Sequence, residues 1–234
     1  MTTLVKPVLI PLGFVGVYLV PAEGGCALVD TGVPGQEGRI FAAMAEHGLA
    51  PESIRLVFVT HAHGDHIGSL QAVVARSHAP VLVSRIEAPA LASGRALRPA
   101  GITFAGWLMS KAMGAFASAA SGSPVKPDVE VDDEIRLDEF GVKGRAIHTP
   151  GHTAGSLSLL LDDTGEAFVG DLCAKYPVIS GGSYVPFFGD SRETVYASWR
   201  RLLDAGATLF YANHSREPIP ADVLRDELAR AGRT

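Results

Sequence analysis

Residues 59–69 read VTHAHGDHIGS, placing three histidines and an aspartate, His61, His63, Asp65 and His66, within six positions. A packed core has no use for so many imidazoles together, so the fold must deliver them to a shared point. The preceding RLVFVT is apolar and β-branched, which predicts a strand ending where the motif begins. In an extended loop beyond it, His61, His63 and Asp65 alternate with period two and face one side, with His66 starting the next helix. Neutral imidazoles and carboxylates are good ligands for zinc or another borderline divalent ion. Four such groups exceed the three protein ligands usual for one open catalytic zinc.

The chain must therefore complete a larger set. His152 in HTPGHTAGS, Asp171 in FVGDLC and His214 in YANHS each stand where an apolar run stops in a glycine-rich or turn-like context. With the first four they make seven candidate ligands. Seven divides into two metals with three unshared ligands each and one carboxylate bridging them.

The remaining pattern supplies the scaffold. PLGFVGVYLV and CALVD flank PAEGG as an antiparallel hairpin ending at Asp30. Helical spacing is expected over residues 36–47, in SLQAVVARSH, over 191–205 and over 221–231, with strands at PVLVS, EIRLDE, VKGRAIHT, SLSLLLDD, EAFVGD and ATLFYAN. Two strand-and-helix halves, 1–95 and 130–234, predict an α/β (α+β) domain of two sheets packed face to face with helices outside. Between them, residues 98–127 form an apolar insert in which Met109, Met113, Phe116 and Ala120 share a helical face, and Lys111 is the one charge on that helix. A core helix, a substrate-covering lid, and a homodimer or membrane-surface contact are all open to it.

The net charge of −5 is spread without a basic stripe, which argues against nucleic acid and for a small-molecule substrate. Cys26 and Cys173 make no disulfide framework. The N-terminal apolar run is broken by Pro7, Pro11, Gly13, Gly16 and Pro21 and reads as strands, not as a signal peptide. No membrane span is expected, and a cytoplasmic location is.

The His61-Ala62-His63-Gly64-Asp65-His66 motif, with His152, Asp171 and His214 downstream and Asp30-Thr31-Gly32 and Thr149-Pro150-Gly151-His152 in their places, resembles the metallo-β-lactamase-fold hydrolase superfamily over nearly the whole chain. The resemblance implies an αββα sandwich of two mixed sheets, one domain over residues 1–234. It implies that His61, His63 and His152 bind one metal, that Asp65, His66 and His214 bind a second, and that Asp171 bridges. Two divalent ions follow, zinc foremost, with iron or manganese as further candidates. Asp30 is expected to accept a hydrogen bond from a metal-bound imidazole. His148 is expected to be structural, as are His47 and His78 at helix C-termini and a buried Cys173.

Two ions about 3.5 to 4 Å apart can hold a hydroxide, because the pKa of a bound water drops from near 15.7 to about 7. Asp65 can then pass a proton to the leaving group and Asp171 keeps the ions paired. The complete ligand set and the apolar insert favour a small ester or lactone. The tyrosine that lactonases of the family often carry three residues past the bridging aspartate is Ala174 here, with Tyr176 or Tyr184 as substitutes. Other readings are a glyoxalase II-type thioesterase, although Ala62 stands where that group tends to have another histidine, a β-lactam or phosphodiester hydrolase, a mononuclear iron persulfide dioxygenase, and a metal-binding protein without catalysis.

Overall fold

Strands covered on both faces carry nearly unbroken apolar runs, and GCALV, VLVS and LSLLL are of that kind. In the computed structural model, which describes residues 4–97, 124–174 and 183–232, they lie inside two six-stranded mixed sheets. The first sheet runs in chain order: β1 (Val8–Pro11), β2 (Gly16–Ala22), β3 (Gly25–Val29), β4 (Ile54–Phe58), β5 (Val81–Ser84) and β6 (Val129–Val131). Its first three strands are antiparallel and β3 to β6 are parallel. The second holds β7 (Glu134–Arg136), β8 (Gly144–His148), β9 (Leu157–Leu161), β10 (Glu166–Gly170), β11 (Leu209–Ala212) and β12 (Ile219–Pro220), again in chain order. Only its β10 and β11 pair in parallel.

Alternation along each strand sorts the side chains into layers. Tyr18, Val20, Val29, Leu56, Phe58 and Leu82 from the first sheet meet Ala146, Leu157, Leu159 and Phe168 from the second in a shared core. Their neighbours Val17, Leu19, Leu28, Val57 and Val81 pack outward with Ile40 and Met44 of α1 (Glu37–Glu46) and Leu70 and Val73 of α3 (Leu70–Ser77). On the far side, Leu160, Val169 and Phe210 pack with Trp199 and Leu202 of α5 (Arg192–Asp204) and Leu224 of α6 (Ala221–Ala231). These four layers form the expected αββα sandwich. A one-residue slip in any central strand would exchange its two apolar faces, so each burial of about 1.5–3 kcal/mol per side chain also pins the register.

Several expectations need correction. Val129–Val131 pairs with β5 and closes the first sheet, so the division between halves falls after residue 131 and not at 130. The motif's helix, α2 (Gly64–Ile67), starts before His66 and includes Asp65, because the His63 carbonyl accepts from the His66 and Ile67 amides at 3.0 and 3.1 Å. The extended, alternating part therefore stops at His63. EIRLDE yields only three strand residues before a 3₁₀ turn at Asp138–Phe140. A short helix, α4 (Ala88–Ser93), and β12 were not foreseen.

His47 and His78 cap α1 and α3 at their C-termini, and Cys26 and Cys173 are buried and unpaired. Of the apolar insert, residues 98–123, with Met109, Lys111, Met113, Phe116 and Ala120, lie outside the described residues, as does Tyr176. Among the described residues no helix is long and apolar enough to cross a membrane.

Candidate metal centre

The C-terminal ends of β3, β4, β10 and β11 meet at one edge of the sandwich, and the loops that leave them carry Asp30, His61, Asp171 and His214. The loop between β8 and β9 brings His152 to the same place. Two ties hold the edge together: Tyr18 Oη donates to the Ala212 carbonyl at 3.0 Å, and Trp199 Nε1 donates to the Leu172 carbonyl at 3.0 Å. Gly170 has φ +56°, and a Cβ there would lie 2.5 Å from Thr60 Oγ1, so only glycine lets the two sheets approach where Asp171 begins.

All seven sequence candidates converge. His61 Nε2 and His152 Nε2 each lie 3.0 Å from His63 Nδ1. Beside that trio, His214 Nε2 is 3.3 Å and His66 Nε2 3.9 Å from Asp65 Oδ2. Asp171 reaches both groups: Oδ2 stands 3.5 Å from His152 Nε2 and 3.1 Å from His214 Nε2, and Oδ1 stands 3.5 Å from His66 Nε2.

The outward-facing nitrogens decide the tautomers. His152 Nδ1 donates to the Phe188 carbonyl at 2.9 Å, and His214 Nδ1 to the Phe14 carbonyl at 3.0 Å. His66 Nδ1 donates to Asp30 Oδ2 at 2.8 Å. His61 Nδ1 donates to Thr60 Oγ1 at 3.0 Å, and that hydroxyl donates to Asp30 Oδ2 at 2.7 Å. Each of these four rings, when neutral, thereby carries its lone pair on Nε2, facing the cluster. His63 alone turns Nδ1 inward.

Asp30 is the hub of this arrangement. It also accepts from the Thr60 amide at 2.8 Å and from Asn213 Nδ2 at 2.7 Å, and it adopts φ +60°. That left-handed conformation is tolerated by aspartate better than by most side chains.

The donor set fits divalent ions. Three buried imidazole lone pairs about 3 Å apart repel one another unless a cation lies between them, and zinc–nitrogen bonds of about 2.0–2.1 Å span such a gap. His66 Nε2 and Asp171 Oδ1 are buried without a hydrogen-bond partner among the described residues, which is costly unless another group meets them. Burial, then the neighbouring imidazoles, lowers the pKa of His61 well below the ordinary histidine value, and burial followed by His152 takes His63 down to about 3. Burial also leads the lowering at His152. These rings stay neutral, as ligands must. Burial opposes charge on Asp65 and Asp171, but the His66 and His214 rings outweigh it and keep both carboxyls below the usual range. Burial likewise opposes charge on His66, yet Asp171, Asp65 and Asp30 around it push its pKa up, which marks a place that calls for positive charge.

Other candidates lie apart. His148 Nε2 bonds the Ala154 carbonyl at 2.8 Å and belongs to no ligand group. Tyr184 packs against the outer core of α5 and α6, where Cys173 is also buried. Burial, then Asp171, pushes the Cys173 thiol up, unlike a nucleophile.

Sequence reasoning missed Thr60, Asn213 and Glu87. The first two adjoin His61 and His214, the one signal available to them. Glu87, 1% exposed, gave none, since a lone glutamate after a strand is ordinarily solvated.

A family model for the metallo-beta-lactamase superfamily matches residues 10–214. The chain is 28% identical to the uncharacterized protein YobT of Bacillus subtilis over 70% of this chain and 63% of that one, so this match spans less than two thirds of the relative. It is 29% identical to the probable metallo-hydrolase YqgX of the same organism over 90% of this chain and 88% of that one. An N-acyl homoserine lactonase of Bacillus sp is 26% identical over 79% of this chain and 73% of its own length. Among solved structures, the metallo-beta-lactamase family protein TTHA1429 of Thermus thermophilus superposes with a TM-score of 0.70 at 23% identity, covering 98% of this chain and 80% of that one. TTHA1623 in a di-iron-bound form superposes with a TM-score of 0.64 at 22% identity over 94% and 96%. The chain belongs to the metallo-beta-lactamase superfamily.

Proposed function

We propose that the protein is a two-metal hydrolase of small esters or lactones, with His61, His63 and His152 holding one divalent ion, Asp65, His66 and His214 the other, and Asp171 bridging. The observation that carries this is the convergence of inward-facing nitrogens from three segments of the chain around a carboxylate, on a fourth, that reaches both groups. Divalent cations held by these residues would supply Lewis-acid chemistry there, a lower pKa for a coordinated water, toward about 7, and polarisation of a carbonyl oxygen.

The chain's own groups supply the rest. Asp30 and Thr60 hold the His66 and His61 rings in the tautomer that leaves Nε2 free to ligate. Asp171 keeps its two oxygens between the ligand groups. Asp65, the more exposed of the two ligand carboxylates at 27% against 10%, can take on Oδ2 the proton that the attacking water loses and hand it to the departing alkoxide. Zinc suits the mixture of imidazole and carboxylate, with iron or manganese as further candidates. The ester or lactone preference draws on the complete ligand set and on the likeness to the N-acyl homoserine lactonase. Two buried, unpaired thiols support residence in a reducing compartment such as the cytoplasm.

Elemental analysis and hydrolysis assays on lactones, aryl esters, thioesters, phosphodiesters and β-lactams test this reading. Two ions per chain with lactone or ester turnover are expected. Turnover of phosphodiesters alone would refute the substrate class, and a single iron with oxygen-dependent turnover would move the chain to the dioxygenases.

A further inference from the structure

The loop bearing His61 and His63 and the loop bearing His152 come from different sheets, and holding His61 Nε2 and His152 Nε2 each 3.0 Å from His63 Nδ1 before any ion arrives requires something to fasten those loops together. The buried carboxylate of Glu87, in the turn between β5 and α4, touches both. Its Oε2 accepts from the backbone N–H of Ala62, the residue between the two histidines. Its Oε1 accepts from Thr153 Oγ1, one residue past His152. The Gly155 amide also donates to it, and a Cβ at Gly155 would lie 2.4 Å from Glu87 Cγ, so the loop closes on the carboxylate only because glycine stands there.

The segment that carries Glu87 grips the motif a second time, since the Leu97 amide donates to the Ala62 carbonyl at 2.7 Å. Both polar backbone groups of Ala62 are thereby tied to residues 87–97. Burying a carboxylate is costly, and such a group persists where several donors meet it. None of its donors is itself a candidate ligand.

We infer that Glu87 is a positioning residue, a clamp that locks the His61–His63 loop to the His152 loop and sets the three nitrogens of the first metal site in advance. This rests on the two-metal reading above. The second site, built on α2 and the loop after β11, has no contact with the clamp among the described hydrogen bonds and should feel its loss far less.

The test is zinc affinity, measured by competition with a chromophoric chelator on the full chain, with folding followed by circular dichroism. Glu87→Gln keeps the shape but sets an amide N–H₂ against one of the donors. Zinc affinity at one of two sites should fall by about 10- to 100-fold, the usual cost of losing a group that orients a ligand. A double-mutant cycle locates the effect. In a His214→Ala background the substitution should still lower zinc affinity, whereas in a His152→Ala background it should add little. A loss confined to the His152→Ala background would overturn the clamp. Should Glu87→Gln fail to fold, Thr153→Val removes one donor and Thr153→Ser keeps it, so weakened zinc binding in the first, restored in the second, supports the inference. Two ions bound with unchanged affinity in Glu87→Gln or Thr153→Val would overturn the clamp alone. A wild-type chain that takes up no ion would instead overturn the metal reading and the clamp with it.

Discussion

Thr60 offers the sharpest test of how the site is held. Its hydroxyl accepts from His61 Nδ1 at 3.0 Å and donates to Asp30 Oδ2 at 2.7 Å, in a position 1% exposed. Thr60→Val keeps the β-branch and the amide bond to Asp30 Oδ1 at 2.8 Å. It removes one hydrogen bond to a carboxylate, worth about 1.5–3 kcal/mol, and leaves the His61 N–H buried without an acceptor, which costs about 1–3 kcal/mol. A buried methyl in place of a hydroxyl returns about 0.8 kcal/mol. Asp30 Oδ2 retains donors in His66 and Asn213, at 2.8 and 2.7 Å, so the loss should fall near the low end, about 2–3 kcal/mol.

Urea unfolding in EDTA reads this as a lower midpoint with an unchanged slope. With zinc present, the freed His61 ring should also weaken binding by about 10- to 100-fold, while Thr60→Ser, which retains the hydroxyl, should keep it. A destabilisation under about 0.5 kcal/mol, the scale of an ordinary surface change, together with unaltered zinc affinity, would refute the claim that this hydroxyl holds His61.

Asp171→Ala should abolish the metal pair and most hydrolysis, and two tightly bound ions by elemental analysis would contradict bridging. Burial pushes the Cys26 thiol up to about 12 and raises Cys173 as well, so neither should react with a disulfide reagent at pH 8 until guanidinium exposes both; a thiol that titrates in the native chain would count against this. In the metal-free chain, His63 sits at about 3 with His61 and His152 also lowered, whereas unfolded imidazoles titrate near 6.5. Their contribution to stability is then complete above about pH 6.5 and is lost as pH falls toward 3, because the unfolded chain binds those protons first. The lowered Asp65 and Asp171 act in the same direction at lower pH, and the raised His66 contributes below about pH 6.5 and loses its contribution as pH rises. Urea midpoints in EDTA should therefore drop between pH 6.5 and 4, and a rise on acidification would contradict the assignment.

Read alone, the sequence determined the kind of site and the layers that carry it. Residues 61–66 declare themselves because so many ligand-type side chains at that spacing have no other use, and helices such as Ala221–Ala231 follow from periodicity and local signals that need no distant partner. What depends on distant partners was hidden. β6 joins the first sheet because β5 offers it a free parallel edge, and α2 starts at Gly64 because the His63 carbonyl finds helical amides, neither of which a run of residues announces. The choice of Nδ1 at His63 but Nε2 at the other four rings belongs to acceptors as remote as the Phe14 and Phe188 carbonyls. Glu87 is the plainest case: as a residue type it is most often solvated, and only the meeting of two loops, at Ala62 and Thr153, turns its carboxylate inward and gives it a role. Composition and spacing act along the chain, whereas hydrogen bonds between separate loops exist only once packing has brought them within about 3 Å.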